Sequence, residues 1–233
     1  EWNSTIDYEN KKVAVIGSGA TAVTLVPQIA KKASHVTMIQ RSPTYIASVP
    51  SKYKILHLLN YISPKFGYKI IRFTNILRQR RIYRRARRSP ELVKDYLLGL
   101  VRDELPDFDI EKHFTPSYNP WEQRLCLAPD SDFFESIKQK RVSIETETID
   151  SFSEKGVQLD SGKLIEADII VTATGIKLQN FGGIRIFVDE NEIDISKSFI
   201  YKSMMYTQIP NFINTFGYIN ASWTLKADLT SKY

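Results

Sequence analysis

Cysteine is almost absent from this sequence, in which Cys126 is the only one, and long apolar runs are absent altogether. The lone cysteine excludes a disulfide within the chain and is typical of the reducing cytoplasm. Without an apolar run of about 18 residues, the sequence predicts no membrane-spanning helix. The chain opens on Glu1, Trp2 and Asn3 and lacks the methionine, basic region and apolar stretch of a signal peptide, so we expect a piece of something longer.

Acidic residues are absent from segment 69–88, which holds nine Lys and Arg side chains. The chain has 233 residues, 42 % of them hydrophobic, and a net charge of +6, which suits one large domain or two small ones. Segment 69–88 is compatible with an anionic membrane surface, with nucleic acid, or with a solvated helix face or basic wall near a phosphate-rich cofactor. We favour the last of these, with peripheral membrane contact second. Zinc-ligand spacing and recognition-helix patterns are missing, so we expect neither a metal site nor a nucleic-acid partner.

The most specific signal is a glycine-rich turn between two apolar runs, 13–16 and 36–39, with a helix-compatible stretch in between. The turn reads Gly17, Ser18, Gly19, Ala20, Thr21 and Ala22. A strand, a glycine turn, a helix and a second strand in this order are typical of dinucleotide binding. Gly17 permits the sharp turn, Gly19 lets the backbone approach a pyrophosphate, and Ala22 allows close packing of helix and strand.

The second apolar run ends on Arg41 and Ser42 rather than on an acid. NAD-binding units usually place a carboxylate at this point, whereas arginine and serine donors suit a 2′-phosphate. No acid lies between Ala33 and Pro50. The position therefore indicates NADP, the alternative being an ordinary exposed cation at a strand end.

Around this unit the sequence predicts an α/β fold: a Rossmann-like NADP-binding domain over residues 1–175, with a helical insertion at about 51–105 and a small β-meander. In the insertion, Ser89 as N-cap and Pro90 predict a helix start. Residues 105–130 are predicted to be irregular. Strands are predicted at 11–17, 35–40, 142–146 and 167–172, the last buried in a parallel sheet, helices at 20–33 and 132–140, and the meander at 148–165.

These segments together resemble the flavin-containing monooxygenases, and among them the Baeyer–Villiger monooxygenases, most closely their ethionamide-activating branch. The resemblance extends over essentially the whole chain and implies that residues 176–233 belong to an FAD-binding domain. Trp2 stands where the family fingerprint has its last aromatic residue, but Asn3 replaces the usual Pro or Asp. The matching segments are 17–27 (GSGATAVTLVP), 40–45 (QRSPTY), 118–126 (YNPWEQRLC), 167–179 (ADIIVTATGIKLQ) and 210–229 (PNFINTFGYINASWTLKADL).

The resemblance implies a monooxygenase that uses NADPH, FAD and O₂. In this family NADPH reduces FAD, a C4a-peroxyflavin forms, and one oxygen atom is inserted into a ketone or added to a sulfur or nitrogen substrate. Arg124 matches the arginine that stabilises negative charge in this reaction. Gln123 stands where many members have a lysine near the 2′-phosphate. Ala173-Thr174-Gly175 resembles the hinge between the two cofactor domains, and Trp223 lies in a stretch that resembles the one near the flavin.

The earlier glycine turn with which the family binds FAD has no counterpart before Lys11. We therefore expect this chain alone to bind NADP weakly and FAD poorly, and to be inactive. A disulfide reductase of the thioredoxin-reductase type would need a C-x-x-C pair, which the lone Cys126 does not supply. A non-catalytic NADP-binding or membrane-docking module is the remaining alternative, in which Arg124 would be a structural ion-pair partner.

Overall fold

The chain divides into two units, Glu1–Gly175 and Ile176–Tyr233. The computed structural model describes residues 5–52, 63–123, 125–177, 179–218 and 223–233. Trp2 and Asn3 of the proposed fingerprint, and Arg124, lie outside these ranges.

The first unit contains nine described strands and five described helices. The strands are β1 (Lys12–Ile16), β2 (His35–Gln40), β3 (Tyr45–Val49), β4 (Leu125–Pro129), β5 (Val142–Thr146), β6 (Ile149–Ser153), β7 (Gly156–Leu159), β8 (Leu164–Glu166) and β9 (Ile169–Thr172). The helices are α1 (Ala20–Ile29), α2 (Pro64–Arg88), α3 (Pro90–Glu104), α4 (Ile110–Phe114) and α5 (Asp132–Lys138).

A parallel sheet in the order β5-β2-β1-β9 forms the centre of this unit. Its inner strands are almost continuous apolar runs, and Val13, Ala14 and Val15 of β1 are at most 2 % exposed. Such runs are typical of parallel strands that are covered on both faces. Helix α1 packs Val23 and Val26 onto the same core. The Rossmann-like α/β fold predicted from the sequence is therefore confirmed.

Strand β9 is less buried than its apolar sequence predicts. Ile169, Ile170 and Val171 are only half-buried. Among the described strands, β9 pairs with β1 alone and lies at the edge of the sheet. The strand lies in the parallel sheet as expected, but the expected burial is only partial, because an edge strand is covered on fewer sides than a central one.

The sequence predicts that segment 105–130 is irregular, but the segment also contains regular structure. It contains α4 and β4, and β4 pairs in parallel with β3 in a two-stranded sheet, Tyr45 opposite Leu125. The two partners lie about 80 residues apart in sequence, so no local hairpin signal announces them. The pairing places the starts of both strands, Tyr45 and Leu125, at the same end of this sheet.

The helical insertion contains α2 and α3, while residues 53–62 of the predicted range lie outside the described part of the chain. Ser89 and Pro90 do start α3, but the Ser89 side chain makes no capping hydrogen bond. The insertion is attached through a small apolar cluster of Tyr45, Ala47, Ala86, Val93 and Leu97. It therefore packs directly behind β3.

Among its described residues, the second unit contains two short hairpins and one α-helix. They are β10 (Phe187–Val188) with β11 (Asn191–Glu192), β12 (Ile200–Tyr201) with β13 (Met205–Tyr206), and α6 (Trp223–Lys232). Phe181, Tyr206 and Phe212 form a contacting aromatic trio within it.

Candidate dinucleotide-binding site

A pocket of about 660 Å³ opens where β1, β2 and β9 end. Ligands of open α/β sheets bind at this carboxyl edge of the parallel strands. The pocket is lined by Ile16, Gly17, Ser18, Gly19, Ala20, Thr21, Ile39, Arg41, Ser42, Glu147, Thr148, Ile149, Ala173, Thr174 and Gly175.

Gly17 makes the turn out of β1, with a φ of 127° that a residue with a side chain rarely adopts. Its amide donates a hydrogen bond to the Ile39 carbonyl at 2.8 Å. A Cβ at this position would overlap the Ala173 carbonyl. The glycine is therefore required for the close approach of three strand ends that forms the pocket floor.

Gly19 has a different role, because a Cβ built on it would meet no atom within 4 Å. It caps α1 without a side-chain hydrogen bond, and no acidic residue lies in the first turn. The free amides at the start of a helix and its dipole favour an anion. Open space beside these donors fits a pyrophosphate group of a dinucleotide.

A hydrogen bond joins the glycine turn to the turn that contains Arg41. The Ser18 hydroxyl donates to the Ser42 carbonyl at 3.1 Å. Arg41 and Ser42 are both exposed at the pocket rim. The cation is thus held on a turn with a fixed position relative to the helix start, where it can reach a phosphate in the same pocket.

The turn after Arg41 is anchored a second time, by Tyr118. The Thr44 and Tyr118 hydroxyls lie 2.7 Å apart, and the Tyr45 hydroxyl donates to the Tyr118 carbonyl at 2.7 Å. The two tyrosine rings meet edge to face, with centroids 5.5 Å apart. Burial raises the pKa of Tyr45 to about 12, with the neighbouring Tyr118 as the next cause, so its hydroxyl remains a donor at neutral pH.

Glu147 is a pocket residue that the sequence analysis missed. Its amide donates to the Gln40 carbonyl at 2.9 Å, so it follows directly on β5, beside the end of β2. Hydrogen bonds from Ser161 lower the pKa of its carboxyl group, which is therefore ionised. Because parallel strands end at one edge, a search for polar residues after every predicted strand would have found it.

Most predicted cofactor-binding residues line this one pocket: Gly17, Ser18, Gly19, Ala20, Thr21, Arg41, Ser42, Ala173, Thr174 and Gly175. Ala22 lies behind it, fully buried against the core. Gln123 is exposed just before β4 and is not among the lining residues. Trp223 lies in the second unit, against Phe216 at 4.7 Å between ring centroids.

Two features are absent from the described residues. These residues contain no group of three or more His, Cys, Asp and Glu side chains placed to hold a metal ion. None of their helices combines the length and the apolarity needed to cross a membrane.

Comparison with known proteins decides the family. No family model matches the chain. The FAD-containing monooxygenase EthA of Mycobacterium tuberculosis is 48% identical over 235 residues, which include 100% of this chain. The probable FAD-binding monooxygenase AlmA of Acinetobacter baylyi is also 48% identical, over 234 residues.

This chain belongs to the FAD-containing monooxygenases. It spans about half the length of these curated relatives, 48% of EthA and 47% of AlmA. Among solved structures, OTEMO in an FAD-bound form matches with a TM-score of 0.59 at 17% identity, covering 81% of this chain and 42% of that one. Cyclohexanone monooxygenase from Rhodococcus sp. Phi1 bound to NADP+ matches with a TM-score of 0.55 at 20% identity, covering 75% of this chain and 40% of that one. At these identities the likeness shows a shared fold.

Proposed function

We propose that residues 1–175 form the NADPH-binding domain of a Baeyer–Villiger-type monooxygenase and that residues 176–233 belong to its FAD-binding domain. The whole enzyme would insert one oxygen atom from O₂ into a ketone, or oxygenate a sulfur or nitrogen substrate. The observation that supports this best is the pocket in which Gly19, the start of α1 and Arg41 face the same space. The 48% identity to FAD-containing monooxygenases supports the reaction class.

The residues present fit NADP at three points. The amides at the start of α1 and the open space at Gly19 suit the pyrophosphate. Arg41 and Ser42 supply donors for the 2′-phosphate. The ionised Glu147 can accept hydrogen bonds from ribose hydroxyls and would repel a phosphate, so it favours placement of the phosphates toward Arg41.

When bound, NADPH supplies a hydride and FAD supplies the redox centre that activates O₂. Arg124 would stabilise negative charge on the reacting oxygen, a role worth on the order of 10²–10³ in rate for one such donor. Gln123 would lie near the 2′-phosphate, Trp223 near the flavin, and Ala173-Thr174-Gly175 at the hinge between the domains. These four assignments rest on the family resemblance.

The test of the reaction class is the variant Arg124→Ala in the full-length protein, with FAD bound. NADPH oxidation that is coupled to substrate oxygenation should fall by about 10²–10³. An Arg124→Ala protein that keeps full coupled activity would remove Arg124 from the mechanism. A full-length wild-type protein that binds NADP but never oxygenates any ketone, sulfide or amine would favour the non-catalytic module.

A cytoplasmic location and peripheral membrane contact through segment 69–88 are further parts of this proposal. The lone, buried Cys126 supports a reducing compartment. The position of segment 69–88 in the exposed helix α2 supports contact with a surface.

A further inference from the structure

Helix α2 exposes large apolar side chains that a simple solvated helix would not need to expose. Phe66 is 56 % exposed, Phe73 63 % and Ile76 44 %. Their spacing of seven and three residues places them on one face of the helix. Clustered exposed apolar groups mark interaction surfaces, whereas single ones are unremarkable.

The same face continues with positive charge. Lys69 lies between the two phenylalanines, and Arg80, Arg84 and Arg87 follow Ile76 at successive spacings of four, four and three residues; all four are exposed. The whole helix, Pro64–Arg88, contains no Asp or Glu. We call this stripe, from Phe66 to Arg87, the cationic–aromatic face; at 1.5 Å per residue it is about 31 Å long.

A different side of α2 attaches the helix to the protein. Ala86 is 2 % exposed and packs in the cluster of Tyr45, Val93 and Leu97. Ala86 does not lie on the cationic–aromatic face, because it is about 80° or more around the helix from that stripe. This attachment leaves the apolar and basic side chains of the cationic–aromatic face exposed.

We propose that the cationic–aromatic face of α2 docks on an anionic lipid surface. Phenylalanine and isoleucine side chains can enter the boundary between headgroups and acyl chains while lysine and arginine pair with lipid phosphates. Nucleic acid would satisfy the arginines but offers no comparable apolar phase for Phe66, Phe73 and Ile76. This docking rests on the membrane contact proposed above and specifies the helix face and the lipid charge. It does not depend on the redox chemistry.

The experiment is co-sedimentation of the protein with vesicles of phosphatidylcholine alone and of phosphatidylcholine with about a third phosphatidylglycerol. Wild type should bind the anionic vesicles and not the neutral ones, and binding should weaken when salt is raised. The double variant Arg80→Glu/Arg84→Glu should weaken binding by about thirtyfold or more, since each cation near an anionic surface contributes about a factor of five. The variant Phe73→Ser/Ile76→Ser should also weaken binding, with the salt dependence retained.

The matched control is Lys32→Glu/Lys155→Glu, which makes the same charge change at exposed positions away from α2. It should reduce binding far less than Arg80→Glu/Arg84→Glu. Circular dichroism and NADP+ titration of every variant separate loss of docking from unfolding and from failure of the NADP site. The proposal would be overturned by equal binding to neutral and anionic vesicles, or by an equal loss of binding in the control variant. It would also be overturned if the protein did not bind vesicles but bound duplex DNA or RNA, and if Phe73→Ser/Ile76→Ser left that nucleic-acid binding intact.

Discussion

Replacing Arg41 by alanine should convert a site with higher affinity for NADP into one with similar affinities for NADP and NAD. Arg41 lies at the rim of the pocket, on the turn that Ser18 ties to the glycine turn. NADP differs from NAD by the 2′-phosphate alone, so a contact between Arg41 and that phosphate should affect the affinity for NADP and not the affinity for NAD. The change therefore tests one contact rather than the whole pocket.

The size of the effect follows from the type of contact and from its exposure. A hydrogen bond to a charged group contributes about 10- to 100-fold in affinity. Arg41 is exposed, so solvent and salt screen it and the lower part of this range applies, about 10- to 30-fold for NADP+. The affinity for NAD+ should change by less than about twofold, since no phosphate faces the missing cation.

Isothermal titration calorimetry with NADP+ and NAD+ measures both affinities on the same samples. Arg141→Ala is the matched control, because Arg141 is an exposed arginine just before β5 that does not line the pocket. It should leave both affinities unchanged. Equal losses for NADP+ and NAD+ in Arg41→Ala, or no loss at all, would refute the assignment of Arg41 to the 2′-phosphate.

Three further predictions concern the pocket and its support. Gly17→Ala should lower the free energy of unfolding in chemical denaturation by about 1–3 kcal/mol or more, because its Cβ would overlap a backbone carbonyl at positive φ. Gly19→Ala should keep the stability of wild type but bind NADP+ more weakly. Thr44→Val should lower the free energy of unfolding by about 0.5–1.5 kcal/mol, and Tyr118→Phe should lower it by a similar amount. NADP+ binding should weaken in both variants because the Arg41 turn loses its anchor, and unchanged binding would show that this hydrogen bond contributes to stability alone. Because folding raises the pKa of Tyr45 from 10.0 to about 12, its contribution to stability should be complete below pH 10 and disappear as pH rises toward 12. Ultraviolet detection of tyrosinate should show a late-titrating tyrosine that is missing in Tyr45→Phe, and its absence from wild type would contradict the burial argument.

Patterns within one continuous segment were predicted well from the sequence. The predicted strands 35–40 and 142–146 have the bounds of β2 and β5. Segment 35–40 contains the apolar run that is typical of a central parallel strand. Segment 142–146 alternates, with Val142 and Ile144 buried, as is typical of a strand with one buried face. Helix α1 ends at Ile29 rather than at the predicted residue 33, soon after Pro27 in its last turn.

Features that depend on distant partners were not predicted. Nothing local to 125–129 indicates a strand, because its only described partner is β3. The exposure of Phe73 and Ile76 on α2 likewise depends on which side of the helix Ala86 attaches to the protein. Glu147 was missed because the charge pattern of a phosphate-binding pocket predicts basic and not acidic residues. Its ionised carboxylate is stabilised by hydrogen bonds from Ser161, which is distant in sequence.

A crystal structure of the protein with NADP+ tests most directly whether the pocket at the ends of β1, β2 and β9 holds NADP. The pyrophosphate should lie against Gly19 and the first turn of α1, and the 2′-phosphate beside Arg41 and Ser42. NADP+ bound at any other place, or bound here in the reverse direction with its 2′-phosphate away from Arg41, would contradict the account.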